Sequence, residues 1–251
     1  MKITKHITFF YIPERIHYIN RIIDETNTYI YTTDIFIHTN NNTIGPNLFN
    51  TYTNGSIQLV YHDLSGIHPF LLTWSSRNLL KSQKDDYDIF MYIEDDILVP
   101  KKALEYWLKY NKELITESYN LGFVRIETYN NEEYITDITE RMDTLIMING
   151  VQYCVNKNPY CAFWIYNKDE FNNFLNSRFY NLDTIPKICD VRELSAFGLH
   201  GDGFPWYINT VIPIENGMLT DACRIYHMPN NYVNTCSKFA TINFKDAIKP
   251  M

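Results

Sequence analysis

A run of apolar residues that ends in three carboxylates constrains this chain more than any other feature of its sequence. Ile89 to Ile93 are all apolar or aromatic, and the acids Glu94 to Asp96 follow without a break. Five such residues in succession leave neither face for water, so they predict a strand buried on both faces. Apolar residues return at Ile97 to Val99. The sequence therefore places three acids at the end of a buried strand.

Neighbouring carboxylates in such a place repel one another by up to about 4 kcal/mol per pair at 4 Å, for an effective dielectric near 20. A divalent cation is the expected compensation, because carboxylate oxygens are the ligands that hard cations prefer. In an extended chain Glu94 and Asp96 point to one face and Asp95 to the other, so their roles differ. The alternative is that the acids only cap a turn, but like charges so placed are usually functional.

Length and composition predict one globular domain over residues 1–251, with 45% hydrophobic and 20% charged residues and no linker or repeat. The formal charge of -7 argues against nucleic acid as a main partner. No segment is long and apolar enough for a signal peptide or a membrane span.

The cysteines and the amino-acid bias of the chain predict the cellular location of the protein. The five cysteines are odd in number and lack CxxC spacing, which predicts free thiols in a reducing compartment, the cytoplasm. Twenty tyrosines with many Asn and Ile residues are typical of an AT-rich genome, such as that of a giant DNA virus. We therefore expect a location in the host cytoplasm or the virion, and we give the Tyr and Asn counts no functional weight.

Strand-like segments alternate with helical periodicity in the first 120 residues. Strands are predicted at 7–12, 34–38, 56–62 and 89–93, and helices at 15–26, 69–84 and 101–119. The second half is less regular, with strands at 121–128, 161–166 and 225–227, helices at 168–177 and 190–197, a hairpin or meander at 130–158 and a tail at 228–251. This pattern predicts an α/β fold with a Rossmann-like, mostly parallel central sheet flanked by helices, and a smaller mixed or antiparallel part later.

The carboxyl ends of parallel strands meet at one edge of a sheet, where ligands bind. The predicted strand ends are Tyr11, His38, His62 with Asp63, and the acids Glu94 to Asp96. The topology alone therefore predicts that these side chains converge, and it makes Tyr11 and His38 candidate nucleotide contacts.

The segment Met91 to Pro100 resembles the signature of GT-A glycosyltransferases, in which an apolar strand, a DxD-type acidic triplet, apolar residues and a proline follow one another. Its Glu-Asp-Asp form is similar to that of metal-dependent, inverting N-acetylglucosaminyltransferases. The resemblance covers residues 5–170 in layout but only about ten residues in motif. It implies a GT-A-like single domain, with a nucleotide-binding half at about 1–100 and an acceptor-side half and C-terminal tail at about 101–251.

The same resemblance implies transfer of a sugar from a nucleotide-sugar donor, a UDP-sugar such as UDP-GlcNAc, to a hydroxyl of a glycan, glycoprotein or small molecule. Asp96 would bind Mn²⁺ or Mg²⁺, Asp95 would act through water or on the ribose and sugar, and Glu94 would support the nucleotide. The ion would neutralise charge on the leaving diphosphate. His227, at a late strand end, would complete the metal shell and favour Mn²⁺. A histidine without any ligand is equally compatible with the sequence.

An inverting enzyme also needs a base that deprotonates the acceptor hydroxyl. Asp190 and Glu193 are the candidates, and we prefer Glu193, although a helix cap and a solvated face would account for both. Asp202 is a further candidate, and a retaining enzyme would need no such base. Phe204 and Trp206 could stack on an acceptor sugar or simply pack.

Two more basic or titratable residues lie before the acidic strand. The resemblance implies that Arg77 lies near the diphosphate, and an ordinary surface arginine is the alternative. His68 would either reach the nucleotide or cap the helix that begins at Pro69. Both therefore stay open at this point.

Two other functions compete with glycosyl transfer. A sugar-phosphate nucleotidyltransferase would share the sheet but needs a Gly-rich loop after the first strand, and Tyr11 to Arg15 contain no glycine. A non-catalytic carbohydrate-binding protein on the same fold would not need the acids, so the intact triplet argues against it. Both rank below the transferase.

Overall fold

Helices and strands alternate along much of the chain in the computed structural model, which confirms the predicted α/β class. The structure describes residues 1–187, 189–199 and 209–249. The α-helices in these ranges are α1 (Ile16–Asn27), α2 (Arg77–Ser82), α3 (Lys101–Thr116), α4 (Lys168–Leu175) and α5 (Val191–Phe197). The strands are β1 (Lys2–Phe9), β2 (Thr32–Thr39), β3 (Ile57–Tyr61), β4 (Ile89–Glu94), β5 (Ile97–Leu98), β6 (Tyr119–Leu121), β7 (Val124–Tyr129), β8 (Glu132–Ile135), β9 (Leu145–Ile148), β10 (Val151–Val155), β11 (Phe163–Asn167), β12 (Asn209–Glu215), β13 (Met218–Leu219), β14 (Arg224–His227) and β15 (Ile242–Asn243).

The chain forms two compact units. Unit 1 comprises Met1–Ile97 and Ala162–Gly198, and unit 2 comprises Leu98–Cys161 and Leu199–Met251. The segment Ala162–Gly198, which the family resemblance implies is in the acceptor-side half, thus packs with residues 1–97. The reason is that β11 pairs with β4, so long-range strand pairing overrides position along the chain.

Unit 1 contains a five-stranded sheet in the order β11-β4-β1-β2-β3. The pairs β1–β2, β1–β4 and β2–β3 are parallel, whereas β11 runs antiparallel to β4. The registers align Thr8 with Glu94 and with His38, so the carboxyl ends of β1, β2 and β4 lie at one edge. Every residue of β4 is buried, as the apolar run predicts. The predicted mostly parallel sheet is therefore confirmed, with an antiparallel edge strand added.

Unit 2 has the smaller mixed architecture that the sequence predicts. One sheet has the order β13-β12-β10-β9, with β6 parallel to β12. Another contains β15, β8, β7 and β14 as successive neighbours, and only the β7–β14 pair of these is parallel. The predicted tail is part of this packing, because β15 pairs with β8 and Phe244 and Ala247 are buried.

Several element boundaries differ from those predicted from the sequence. The first strand ends at Phe9, and Pro13–Arg15 forms a 3-10 helix that leads into α1. The helix predicted at 69–84 is instead a 3-10 helix, Pro69–Trp74, followed by α2. Ser75 and Ser76 lie between the two, and serine is a weak helix former that competes for backbone hydrogen bonds.

The five cysteines are free thiols, as predicted. Cys154, Cys161 and Cys223 are buried, Cys189 is half-buried and Cys236 is exposed. Burial raises the pKa of the Cys154 thiol to about 11, with a contribution from the charge of Asp143. A buried thiol with a raised pKa packs as a small apolar side chain.

Asp34 in β2 supports a first prediction, on acid stability. Its carboxylate lies 2.7 Å from the Lys2 ammonium and accepts hydrogen bonds from Ser56 and Tyr87. Burial works to raise its pKa, but these partners outweigh it and lower the pKa to about 2. A carboxyl with a depressed pKa stabilises the folded state above its unfolded value of 3.8, and this contribution is lost as the pH falls to about 2.

Asp34→Asn should therefore lower the free energy of unfolding at pH 7 by roughly 1–2 kcal/mol, a figure reduced for the solvent-exposed Lys2 partner. Urea unfolding at pH 7 and near pH 2.5 measures the effect, and the gap between wild type and variant should narrow at the lower pH. Asp183→Asn, at an exposed position in unit 1, is the matched control and should have the same free energy of unfolding as wild type at both pH values. A difference between wild type and Asp34→Asn that is equally large at both pH values would contradict the prediction.

Candidate active site

The three acids lie at the carboxyl end of β4, at the edge of the unit 1 sheet. Glu94 is the last residue of β4, and Asp95 and Asp96 form the turn that follows. All three are buried, with 7–8% of their surface exposed. The backbone holds them there, because the Asp95 N–H donates to the Thr8 carbonyl of β1 at 3.1 Å. The acidic strand end, as we call Glu94 to Asp96, is therefore built into the sheet edge.

Arg15 compensates two of these acids. Its Nε and Nη2 atoms donate to both oxygens of Asp95 at 2.7 and 2.6 Å, and Nη2 also donates to Asp96 Oδ2 at 2.7 Å. Arg15 reaches them because it ends the 3-10 helix that follows β1, the neighbour of β4 in the sheet. Burial works to lower the pKa of Arg15, but the hydrogen bonds and charges of Asp95 and Asp96 outweigh burial. The pKa of Arg15 is therefore raised above its usual value.

Burying Asp95 is costly even with this partner. Burial raises the pKa of Asp95 above its usual value, the hydrogen bonds from Arg15 offset part of that rise, and the nearby charge of Asp96 adds to it. Arg15 thus compensates the negative charge of the acidic strand end only in part, and further positive charge would stabilise it. This is the electrostatic problem that the sequence predicts for adjacent buried acids.

A cavity of about 270 Å³ opens onto the acidic strand end within unit 1. Its apolar lining residues are Phe10, Ile12, Pro69, Phe70 and Leu72. Its polar and charged lining residues are Thr8, Thr73, Arg15, Glu94, Asp95 and Arg192. Such a cavity suits a ligand that has a flat apolar part and a charged or polar part.

Arg192 of α5 supplies the second positive charge of the cavity. Its Nε atom lies 3.9 Å from Glu94 Oε2, and its guanidinium lies over the Phe70 ring at 5.2 Å from the centroid. With Arg15 and Arg192, two positive groups face three carboxylates. Counted with Asp96, the three acids exceed the two arginines by one formal negative charge, so a cation would favour the binding of an anionic ligand here.

The donor set of the acidic strand end fits a divalent ion that arrives with a phosphate ligand. Its oxygens are hard, and the Arg15 guanidinium already stands in for a cation beside Asp95 and Asp96. Within residues 1–187, 189–199 and 209–249, no group of three or more His, Cys, Asp or Glu side chains is arranged to hold a metal. Nucleotide-bound Mg²⁺ needs only one or two protein carboxylates, because phosphates and water supply the rest.

His227 ends β14 in unit 2, where a buried glutamate orients it. Its Nδ1 atom donates to Glu127 Oε1 at 2.6 Å. The remaining sites of the Glu127 carboxylate accept the backbone N–H groups of Asn231, Tyr232 and Val233. A carboxylate on Nδ1 fixes the tautomer and presents Nε2, which is the usual support of a metal-binding histidine. The role of His227 as a metal ligand beside Asp96 stays a prediction.

The base candidates Asp190 and Glu193 lie at the start of α5 in unit 1. Asp190 is the N-cap residue, and its side chain accepts the Arg192 N–H at 3.0 Å, as the capping alternative predicts. Glu193 is half-buried and lies against the Cys189 thiol, whose pKa burial and the Glu193 charge raise to about 12. Arg192, between the two acids, lines the cavity. Their role as the base stays a prediction.

Arg77 is buried in unit 1, so the surface-arginine alternative is wrong, and its place near the diphosphate stays a prediction. Its guanidinium lies within 5.4 Å of the ring centroids of four aromatic side chains, those of Trp74, Trp164, Phe174 and Tyr180. Nη2 donates to the Ser195 carbonyl in α5 at 2.7 Å, and Arg77 is 5% exposed. Three of these rings come from distant parts of the chain, so α2 directs this arginine into the core and against α5.

His38 lies in a chain of three histidines that crosses the unit 1 sheet. Its Nε2 atom is 2.8 Å from His6 Nδ1, and its Nδ1 atom is 2.8 Å from His62 Nε2. The His6 Nε2 atom lies 2.9 Å from Gln83 Oε1, which can only accept, so each imidazole donates toward Gln83. Both ring nitrogens of the fully buried His38 are therefore engaged, and it differs in this from the nucleotide contact expected at a strand end.

The remaining predicted contacts lie in loops of unit 1. His68 caps the 3-10 helix Pro69–Trp74, because its Nδ1 accepts the Phe70 N–H at 3.3 Å, and the capping alternative is thereby confirmed. Tyr11 is half-buried, and its backbone N–H donates to Asn40 Oδ1 at 2.8 Å. Asp202, Phe204 and Trp206 lie outside the described residues.

Arg15 and Arg192 are the site residues that sequence reasoning missed. The sequence shows Arg15 in a loop without glycine and Arg192 beside two candidate bases, and neither pattern predicts a site residue. A signal for Arg15 exists, because a basic residue shortly after β1 lies at the same sheet edge as acids after β4. Arg192 had no such signal, since α5 approaches the sheet edge only through tertiary packing.

Comparisons with known proteins give a likeness in fold and no match in sequence. No family model and no curated protein matches the chain. Among solved structures, the crystal structure of residues 1–349 of TarS from S. aureus aligns with a TM-score of 0.46 and 10% identity. The alignment covers 91% of this chain, which spans 60% of that chain. A likeness at this level says nothing of activity, so the function argued below is based on the residues of this chain.

No helix in the described ranges combines the length and the apolar character needed to cross a membrane. The longest described helix, α3, has 16 residues and carries several charged side chains. A transmembrane helix needs about 20 predominantly apolar residues.

Proposed function

We propose that this protein is a glycosyltransferase that moves a sugar from a nucleotide-sugar donor, a UDP-sugar, to a hydroxyl acceptor. The observation that carries the proposal is the acidic strand end, buried at the carboxyl edge of a parallel sheet and opening onto a half-apolar cavity. Ligands of open α/β sheets bind at this edge. Apolar lining residues such as Phe10 and Phe70 suit a nucleobase, and the charged lining residues suit the diphosphate and the ribose.

The acids and arginines have separate roles in binding a diphosphate. Asp96, with Asp95 beside it, would hold Mn²⁺ or Mg²⁺, which supplies neutralisation of the charge that develops on the leaving diphosphate. Arg192 can shift from Glu94 toward an incoming phosphate, since its side chain is 45% exposed. Glu94 then accepts hydrogen bonds from the nucleotide. This division explains why three adjacent acids are retained in a buried place.

Transfer itself needs an acceptor oxygen with reduced proton affinity. In an inverting reaction a carboxylate of α5, Glu193 by preference or Asp190, takes the acceptor proton as the oxygen attacks the anomeric carbon. The bond from that carbon to the diphosphate oxygen breaks at the same time, and the diphosphate leaves with the electron pair. A retaining reaction would proceed without this base, and the configuration of the product distinguishes the two.

Nucleotide binding is the direct test. UDP with Mn²⁺ should raise the free energy of unfolding by about 2.7 kcal/mol at one hundred times its dissociation constant, and UDP with EDTA should raise it much less. Thermal unfolding with UDP, GDP and ADP, each with and without Mn²⁺, measures this. UDP-GlcNAc, the donor that the triplet resemblance favours, should then be hydrolysed or transferred in a product assay. Absence of stabilisation by every UDP- and GDP-linked donor would overturn the proposal.

A further inference from the structure

We propose that Arg15 is a built-in cation of the acidic strand end that keeps divalent metal ions off Asp95 and Asp96 until a nucleotide diphosphate enters the cavity. The inference rests on the proposed nucleotide-sugar site and names the residue that controls its metal. Arg15 is a positioning residue here, because it acts through the two aspartates rather than on the sugar.

The geometry shows how completely Arg15 occupies these carboxylates. Its three hydrogen bonds of 2.6 to 2.7 Å engage both oxygens of Asp95 and Oδ2 of Asp96. The guanidinium fork matches a carboxylate in two-point contact, and such charge-assisted bonds are about twice as strong as neutral ones. A free metal ion that binds through these oxygens competes with the guanidinium and brings its own positive charge beside it.

The contacts are unequal, and this predicts where the site opens. Arg15 makes two bonds to Asp95 and one to Asp96, so release of Asp96 costs one bond and leaves the two-point pair with Asp95 intact. A diphosphate in the cavity adds negative charge next to a group of three acids and two arginines. That charge favours an additional cation at Asp96, so metal and diphosphate should bind with positive coupling.

Manganese binding to the nucleotide-free protein tests the inference without any activity measurement. Electron paramagnetic resonance of free Mn²⁺ gives the dissociation constant for wild type and for Arg15→Gln. The variant should bind Mn²⁺ at least about tenfold more tightly, the scale of one charge-assisted hydrogen bond. Equal or weaker binding by Arg15→Gln would overturn the inference.

Arg192→Gln is the matched control, because it removes the same charge from the same cavity while its ion pair is with Glu94. It should tighten Mn²⁺ binding by less than about threefold, the part due to net charge alone. A gain equal to that of Arg15→Gln would mean that charge, and not occupation of the aspartates, controls the metal, and would also overturn the inference.

Arg15→Lys covers the case in which Arg15→Gln does not fold. A lysine keeps the charge but cannot make the fork to Asp95, so Mn²⁺ affinity should lie between that of wild type and Arg15→Gln, and no change would count against the inference. UDP should tighten Mn²⁺ binding more in wild type than in either variant. If UDP has no effect in any of them, the proposed function fails while the nucleotide-free results still decide the role of Arg15.

Discussion

Replacing Asp96 by Asn is expected to abolish the Mn²⁺-dependent stabilisation of this protein by UDP. The amide keeps the shape of the side chain but removes the negative charge that a hard cation needs. Arg15 retains its two-point contact with Asp95, so unit 1 should stay folded. At a UDP concentration that gives wild type a gain of about 2.7 kcal/mol, the variant should show close to none.

Thermal unfolding with UDP in Mn²⁺ and in EDTA measures this loss, and circular dichroism checks the fold. Asp85→Asn provides the control, since Asp85 is a largely exposed acid of the same unit whose side chain pairs with Lys168. That variant should respond to UDP as wild type does. Full UDP stabilisation of Asp96→Asn in Mn²⁺ would show that the metal is held elsewhere.

The second large effect is acid unfolding driven by two buried histidines of the unit 1 sheet, His6 and His38. Burial lowers the pKa of His6 to about 3, and the hydrogen bond to Gln83 offsets only part of this shift. Burial, with the charges of His6 and His62, also holds the pKa of His38 well below 6.5. The folded state therefore excludes protons that the unfolded chain takes up below about pH 6.5.

The sign follows from these shifts. The contribution of the neutral histidines to the free energy of unfolding has its full value above pH 6.5. It declines as the pH falls, by up to about 1.4 kcal/mol per pH unit for each excluded proton. Between pH 7 and pH 5 the two buried histidines should together remove about 3–4 kcal/mol from the free energy of unfolding of unit 1. Urea unfolding at half-unit pH steps, followed by intrinsic fluorescence, measures the slope.

His38→Gln should reduce that slope by about half, because the amide can still donate to His6 and accept from His62 but does not titrate. The variant will also be less stable at pH 7, so the slope and not the absolute value is the readout. His17→Gln, at an exposed position, is the control and should leave the slope unchanged. An identical slope for His38→Gln and wild type would rule out this mechanism of acid unfolding.

Much of the fold could be predicted because local patterns agree with it. The apolar run before Glu94 predicts a fully buried strand, and β4 is buried at every position. The alternation of strands and helices predicts the parallel pairs among β1, β2, β3 and β4. The antiparallel pairing of β11 could not be predicted, since its partner lies about seventy residues earlier and both directions bury the same side chains.

The candidate site was less predictable than the fold. Asp190 and His68 take the capping places that their residue types favour, because caps are local. Arg77 and His38 are buried, because partners far along the chain enclose them: aromatic rings in the first case and two imidazoles in the second. Sequence position near a strand or helix end shows where a side chain begins, but distant partners decide where it points.

The sequence by itself determined that three acids end a buried strand, and that they need positive charge, because both statements rest on neighbouring residues and Coulomb's law. Only the tertiary structure decided which group supplies that charge. Arg15 is about eighty residues from Asp95 in the chain, and the parallel pairing of β1 with β4 brings it within 2.6 Å. The same pairing places a guanidinium in contact with two of the acids for which the sequence predicts a metal.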